Sequence, residues 1–182
     1  MKNGVWNDIV LKFHSTETKQ QPIVLKSETV GGVTLEGNSV LKLIDECLVV
    51  KDLYFKNGFT PDDAVIIFQN LPDSIAFNCR VTGTVIENYT QDDRHRMDHW
   101  VEFYGQHNEL DHNYIAGKSN EGPTVKMYLN GNEPINNYHK IHHNYFGPRP
   151  RKDPPKNEII QLGASRTSMA PSYTQITSNP FE

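Results

Sequence analysis

Ile141-His142-His143-Asn144-Tyr145-Phe146 runs apolar, two polar, one variable position, then two mostly apolar residues. The same six-residue design occurs earlier as Val50-Lys51-Asp52-Leu53-Tyr54-Phe55, Val81-Thr82-Gly83-Thr84-Val85-Ile86 and Leu110-Asp111-His112-Asn113-Tyr114-Ile115. It returns a last time as Ile176-Thr177-Ser178-Asn179-Pro180-Phe181. The final positions of successive copies are 31, 29, 31 and 35 residues apart. Self-similarity at such a period is the signature of a solenoid, in which one unit cannot bury its apolar face alone and stacking on the next unit does so.

Between the copies lie other short runs rich in Val, Ile and aromatic residues: Ala64 to Phe68, Trp100 to Tyr104, Thr124 to Leu129 and Glu158 to Leu162. Gly, Asn, Asp or Pro bound them, as they bound strands. No segment carries a long helical period with caps at both ends. Several strands per repeat therefore predict an all-β fold of stacked coils. A β-sandwich also has many short strands, but its turn signals recur without this long self-similarity. Asn113, Asn144 and Asn179 share one place in three copies. They read either as unrelated turn residues or as an internal ladder at a coil corner, where Asn tolerates a left-handed backbone and bonds to its neighbours. The shared register predicts the ladder.

The chain has 182 residues, enough for one domain with a sizeable core; 36% are apolar and 22% charged, which is a globular balance. A net charge of -4 gives no electrostatic reason to bind nucleic acid, and any site for an acidic polymer must be built locally. Cys47 and Cys79 form no CxxC motif and read as two small core residues. No stretch approaches a membrane span, and Met1 to Asp8 shows no signal peptide.

Three groups of residues are candidates for chemistry. The loop Ala116-Gly117-Lys118-Ser119-Asn120-Glu121-Gly122 joins two strands and offers Lys118 and Asn120 to a sugar carboxylate or hydroxyl. It lacks the remainder of a phosphate-loop pattern. Asn144-Tyr145-Phe146-Gly147-Pro148-Arg149-Pro150-Arg151-Lys152 runs from a strand into a basic loop. Arg149 and Arg151 suit forked recognition of carboxylates and Tyr145 suits stacking on a sugar ring; the competing reading is a solvated turn stiffened by proline. Finally, His95, His99, His112, His139, His142 and His143 show neither HExxH nor zinc-finger spacing, so they read as structural or surface histidines. Asp62-Asp63 and Asp92-Asp93 read as solvated turns. No nucleophile elbow or catalytic-cysteine context is present.

These stretches, in this order, resemble the polysaccharide lyase family 6 of alginate lyases and chondroitinase B. The resemblance is carried by Asn3-Gly4-Val5-Trp6-Asn7-Asp8, Leu48-Val49-Val50 with Phe55-Lys56-Asn57-Gly58, Asn78-Cys79-Arg80-Val81-Thr82, and Trp100-Val101-Glu102-Phe103-Tyr104-Gly105. It continues through Asp111-His112-Asn113 with Gly117-Lys118, and is strongest over Tyr138-His139-Lys140-Ile141-His142-His143-Asn144-Tyr145-Phe146-Gly147-Pro148-Arg149-Pro150. It covers nearly the whole chain and leans toward the alginate lyase branch. It implies a single-stranded right-handed parallel β-helix that cleaves acidic polysaccharide, alginate-like or dermatan sulfate-like, by β-elimination. It also implies a secreted or periplasmic protein.

In that family a calcium ion, held by an asparagine and two glutamates, neutralises the uronate carboxylate. A lysine removes the C5 proton and an arginine protonates the leaving oxygen. The family's asparagine belongs to an Asn-Gly-Gly-Glu stretch; this chain has Pro155-Lys156-Asn157-Glu158, which sets Pro155 at the asparagine and leaves Asn157 as the candidate metal ligand. Gln161 takes the place of an arginine in the following strand. The glutamates and the lysine fall in an acid-x-acid stretch after an Asn-x-Phe segment, with the acid arginine further on, and here that segment is Asn179-Pro180-Phe181 before Glu182. The expectation is a partial β-helix domain over residues 1–182, incomplete at both ends, inactive alone and without bound calcium. The strand at the C-terminus is expected to bring poor solubility, self-association or a missing continuation. The substrate-binding candidates are Lys118, Asn120, Tyr145, Arg149 and Arg151. The alternative is a non-catalytic solenoid that binds acidic polysaccharide or serves as structure.

Overall fold

A computed structural model describes residues 1–16, 21–60, 64–71, 74–129, 137–150, 158–163 and 172–182. Each coil of the chain visits three parallel sheets in turn, giving a right-handed parallel β-helix with no helical element among the described residues. The first sheet stacks β1 (Gly4–Asn7), β4 (Val33–Gly37), β7 (Leu53–Gly58), β12 (Val85–Glu87), β15 (Tyr114–Ala116) and β18 (Tyr145–Phe146). The second contains β2 (Val10–Thr16), β5 (Val40–Glu46), β8 (Ile66–Ile67), β13 (Val101–Phe103), β16 (Val125–Met127) and β19 (Ile160–Leu162). The third stacks β3 (Ile23–Lys26), β6 (Leu48–Lys51), β11 (Arg80–Thr82), β14 (Glu109–Asp111), β17 (Lys140–His142) and β20 (Gln175–Thr177). One excursion, β9 (Gln69–Leu71) antiparallel to β10 (Ser74–Phe77), lengthens a coil before β10 pairs with the end of β5.

The repeat seen in the sequence is the passage from the third sheet to the first. Val50 pairs with Val81, Val81 with Leu110, Leu110 with Ile141 and Ile141 with Ile176, so like apolar residues stack along the axis. Phe55, Ile86, Ile115 and Phe146 form the matching column of the first sheet. These residues are buried until the last coil, where Ile176 and Phe181 are exposed. Cys47 and Cys79 are free thiols in the core, as expected, and burial first of all pushes the Cys79 thiol up to about 12.

The asparagine ladder forms. Asn113 Nδ2 donates to Asn144 Oδ1 at 2.8 Å, and Asn144 Nδ2 donates to Asn179 Oδ1 at 3.1 Å. The same oxygens accept from the backbone N–H groups of Asn113 and Asn144, while Asn144 Nδ2 also reaches the carbonyl of Leu110. The left-handed residue is the one before the ladder position: Asp52, Gly83, His112, His143 and Ser178 have φ between 52° and 62°, and the last three precede asparagines. The asparagine is thus needed for its amide, which closes backbone groups that a tight corner leaves without strand partners.

Candidate functional site

Loops from the first sheet to the second converge at one corner. The two sequence segments singled out above meet there: the backbone of Arg149 follows β18 and its guanidinium lies against the loop after β15. Arg149 Nη2 donates to the carbonyls of Asn120 at 3.0 Å and Gly122 at 3.3 Å, and Nε to that of Lys118 at 3.4 Å. Lys118 is 1% exposed. Its ammonium lies 2.8 Å from Asp98 Oδ1 and donates to Asn120 Oδ1, Asn120 O and Glu121 O at 3.1, 3.2 and 2.9 Å. Asn120 Nδ2 donates to the carbonyl of Arg96 at 2.8 Å, and its Oδ1 also accepts from the Thr90 hydroxyl. Burial pushes Lys118 down to about 8 against the pull of Asp98, and burial likewise lowers Arg149.

Lys118 and Asn120, read from the sequence as groups facing a sugar, therefore use their polar atoms inside the protein. Three successive loops have inward carbonyls with no strand to receive them, and these side chains supply the donors. Tyr145 lies apart, on the first sheet, with its ring stacked on Tyr114 at 5.0 Å and its hydroxyl donating to Glu182. Arg151, Pro155 and Asn157 lie outside the described residues.

The outer face of the second sheet carries a polar cluster that sequence reading did not assemble. Parallel register sets Glu102 beside Lys126 and Lys126 beside Gln161. Glu102 Oε1 meets His99 Nδ1 at 2.6 Å and the Tyr128 hydroxyl at 3.1 Å, while Oε2 accepts from the Tyr104 hydroxyl at 3.3 Å. The Tyr104 and Tyr128 rings stack at 4.6 Å, and Lys126 Nζ sits 4.6 Å from the centre of the Tyr128 ring. Burial, with the charge of Glu102, pushes Tyr104 well up and Tyr128 up to about 12, so both phenols remain donors. The alternation in Glu102-Phe103-Tyr104 and Lys126-Met127-Tyr128 was the available signal. Those segments are 24 residues apart, off the period of the repeat, because the intervening loop is short.

Chemically this face presents a cation held on an aromatic plate beside an amide, and its carboxylate already has three partners. It suits recognition of an anion with a ring face more than proton abstraction. Calcium would need six to eight oxygens. Lys42, Ile67, Glu102, Lys126 and Gln161 occupy consecutive places along this face, and among them only Glu102 is a carboxylate. The described residues of the face do not fit that ion. Elsewhere among the described residues, a cluster of His142, Glu109 and Asp111 lies on the third sheet. No helix among them is long and apolar enough to cross a membrane.

The chondroitinase B family profile matches residues 1–182. Among solved structures, the PL6 family alginate lyase AlyGC is 38% identical with a TM-score of 0.94 over 100% of this chain and 25% of its own. A PL6 family polysaccharide lyase from Pseudopedobacter saltans is 27% identical with a TM-score of 0.86 over 100% of this chain and 41% of its own. A mannuronic acid specific family 6 lyase from human gut microbiota is 28% identical, with a TM-score of 0.89 over 98% and 41%. The chain thus spans between a quarter and about two fifths of these structures. Among curated protein sequences none matches.

Proposed function

Because this chain belongs to the polysaccharide lyase family of chondroitinase B and the PL6 alginate lyases, we propose that it forms substrate-carrying coils of a lyase acting on uronate polysaccharide. The observation that carries this reading is the outer face of the second sheet. Gln161, at the position where the resemblance sets an arginine, lies in register with Lys126 on its tyrosine plate. A uronate offers a carboxylate to the ammonium and an apolar ring face to the aromatic edge. Lys118, Asn120 and Arg149 then act as positioning residues: they brace the loop whose Asp98 precedes His99, and His99 in turn fixes Glu102.

Catalysis by these 182 residues alone is not part of this reading. No described side chain combines a free base with an acid across a sugar-sized gap on this face, and the described residues of the face lack the oxygen set that calcium takes. The polymer is alginate-like, in keeping with the AlyGC likeness, and the protein acts outside the cytoplasm where such polymers occur.

The test uses this chain, alginate and dermatan sulfate. Unsaturated uronate is followed by its absorbance, with and without calcium, and binding is followed by affinity electrophoresis at low and high salt. The expected result is no turnover and salt-weakened binding to alginate that Lys126→Ala reduces about tenfold. Calcium-dependent turnover by this chain, or alginate binding untouched by Lys126→Ala, would overturn it.

A further inference from the structure

The histidines that show no metal spacing along the sequence are brought together by the coil pitch. His112 and His143 occupy equivalent left-handed corner positions one coil apart, and their rings stack at 5.1 Å. His142 ends β17, just before His143, and points outward from the third sheet, in register with Asp111 on β14. Glu109, two residues before Asp111, shares that outer face. The outcome is three imidazoles and two carboxylates within two neighbouring coils, on a different sheet from the Lys126 face.

The contacts are close. His142 Nε2 lies 2.9 Å from Glu109 Oε1, and His112 Nδ1 lies 2.6 Å from Asp111 Oδ2. One atom each from Glu109, Asp111 and His142 falls within 4.8 Å of the others. His142 Nδ1 lies 2.9 Å from His143 Nδ1, so one of these nitrogens carries the proton and the pair fixes the His142 ring with Nε2 toward the acids. An outer imidazole or carboxylate that orients a ligating histidine is a recurring part of metal sites. Asp111 is fully buried, whereas His112 is open to solvent, so the cluster has a fixed floor and an accessible mouth.

We propose that Glu109, Asp111 and His142, with His112 as a fourth ligand, bind a borderline divalent metal ion of the zinc class. The donor chemistry selects it: two imidazoles and two carboxylates match zinc, cobalt or nickel, whereas calcium and magnesium take oxygen alone. The side chains draw in by roughly an ångström to reach ligand distances of about 2.0–2.2 Å. Arg80 is the internal competitor. It grips Asp111 through Nε at 2.7 Å and Nη2 at 2.5 Å, lies 3.6 Å from Glu109, and shares Asp111 Oδ2 with the Thr82 hydroxyl at 3.0 Å. Lys140 is the other flanking cation, in register with Glu109. Metal binding takes the place of the His142–Glu109 and His112–Asp111 contacts and loosens the Arg80 fork.

The test is calorimetric titration of the chelator-stripped chain with zinc chloride, repeated with calcium chloride. A single saturable zinc site without a calcium counterpart is expected. His142→Ala weakens it at least tenfold, His143→Ala weakens it less, and Arg80→Ala tightens it by freeing Asp111. His112→Ala, at an exposed corner, gives a second loss where His142→Ala fails to fold. Cobalt loading should give visible bands without a thiolate charge-transfer band, which separates this site from Cys47 and Cys79. Absence of saturable zinc uptake, or uptake unchanged in folded His142→Ala and His112→Ala, would overturn the assignment.

Discussion

Two corners of this β-helix bury polar groups by opposite means. From the third sheet to the first, a neutral asparagine repeats at every turn from Asn113 to Asn179, each amide bonding the next. From the first sheet to the second, charged groups take over: Lys118 against Asp98, with Arg149 across the loop carbonyls. The difference follows from chain length. Between the third and first sheets the connection is a tight corner of constant size, so one small amide fits every coil. Loops between the first and second sheets differ in length, and longer side chains must span what the backbone leaves open. A repeating neutral ladder has no desolvated charge to keep matched. The charged corner does, and its failure when one partner is lost is correspondingly severe.

The largest expected effect breaks the charged corner. Lys118→Met keeps the volume and leaves Asp98 buried without its cation, which costs about 3–5 kcal/mol. Urea denaturation of both forms measures it. The double variant Lys118→Met with Asp98→Leu should recover most of the loss, because no charge then remains to be desolvated. If the double variant is no more stable than the single one, the corner depends on the lysine's bonds to Asn120 and Glu121 instead.

Breaking the neutral corner should cost less. Asn144→Ala orphans the Leu110 carbonyl and the Asn113 N–H, at about 1–3 kcal/mol for the pair after partial rearrangement. Asn179→Ala, nearer the exposed last coil, should cost less again. Equal losses at Asn144 and Asn179 would show that the ladder acts as one unit rather than rung by rung.

What the sequence disclosed divides along the same line. The third-to-first corner holds its length nearly constant, so copies align by eye and the coils, their inward columns and the asparagine ladder are legible. Family resemblance, carried in part by the same residues, reached the same fold. The second sheet is not legible in this way, since Val101 pairs with Val125 but Val125 with Ile160, steps of 24 and 35 residues. Glu102, Lys126 and Tyr128 therefore meet on a face that no fixed period announces. Lys118 shows the complementary failure. A lysine in a glycine-flanked loop looks exposed, and only the stacking of three loops shows that its ammonium is enclosed. His142 and His112 are 30 residues apart in the chain and neighbours in space for the same reason.

The corner from the second sheet to the third joins the two extremes, because one rung of a neutral stack is titratable. His139 is fully buried, accepts from the Asn108 N–H at 3.3 Å through Nδ1, and lies over Phe103. Burial pushes it down to about 3, below the ordinary 6.5, and the charge of His107 acts in the same direction. A base whose folded value lies below its unfolded one disfavours the fold once the unfolded chain takes up the proton. Stability from this group is therefore complete above about pH 6.5 and is lost as pH falls from there toward 3. From pH 7 to pH 5 the loss is about 2 kcal/mol, one proton taken up by the unfolded chain alone. Urea midpoints across that interval measure it. His139→Gln keeps an acceptor for the Asn108 N–H and removes the titration, so its stability should vary less over the same range. A slope unchanged in His139→Gln would move the acid sensitivity to another group and make this corner as insensitive to charge as the asparagine ladder beside it.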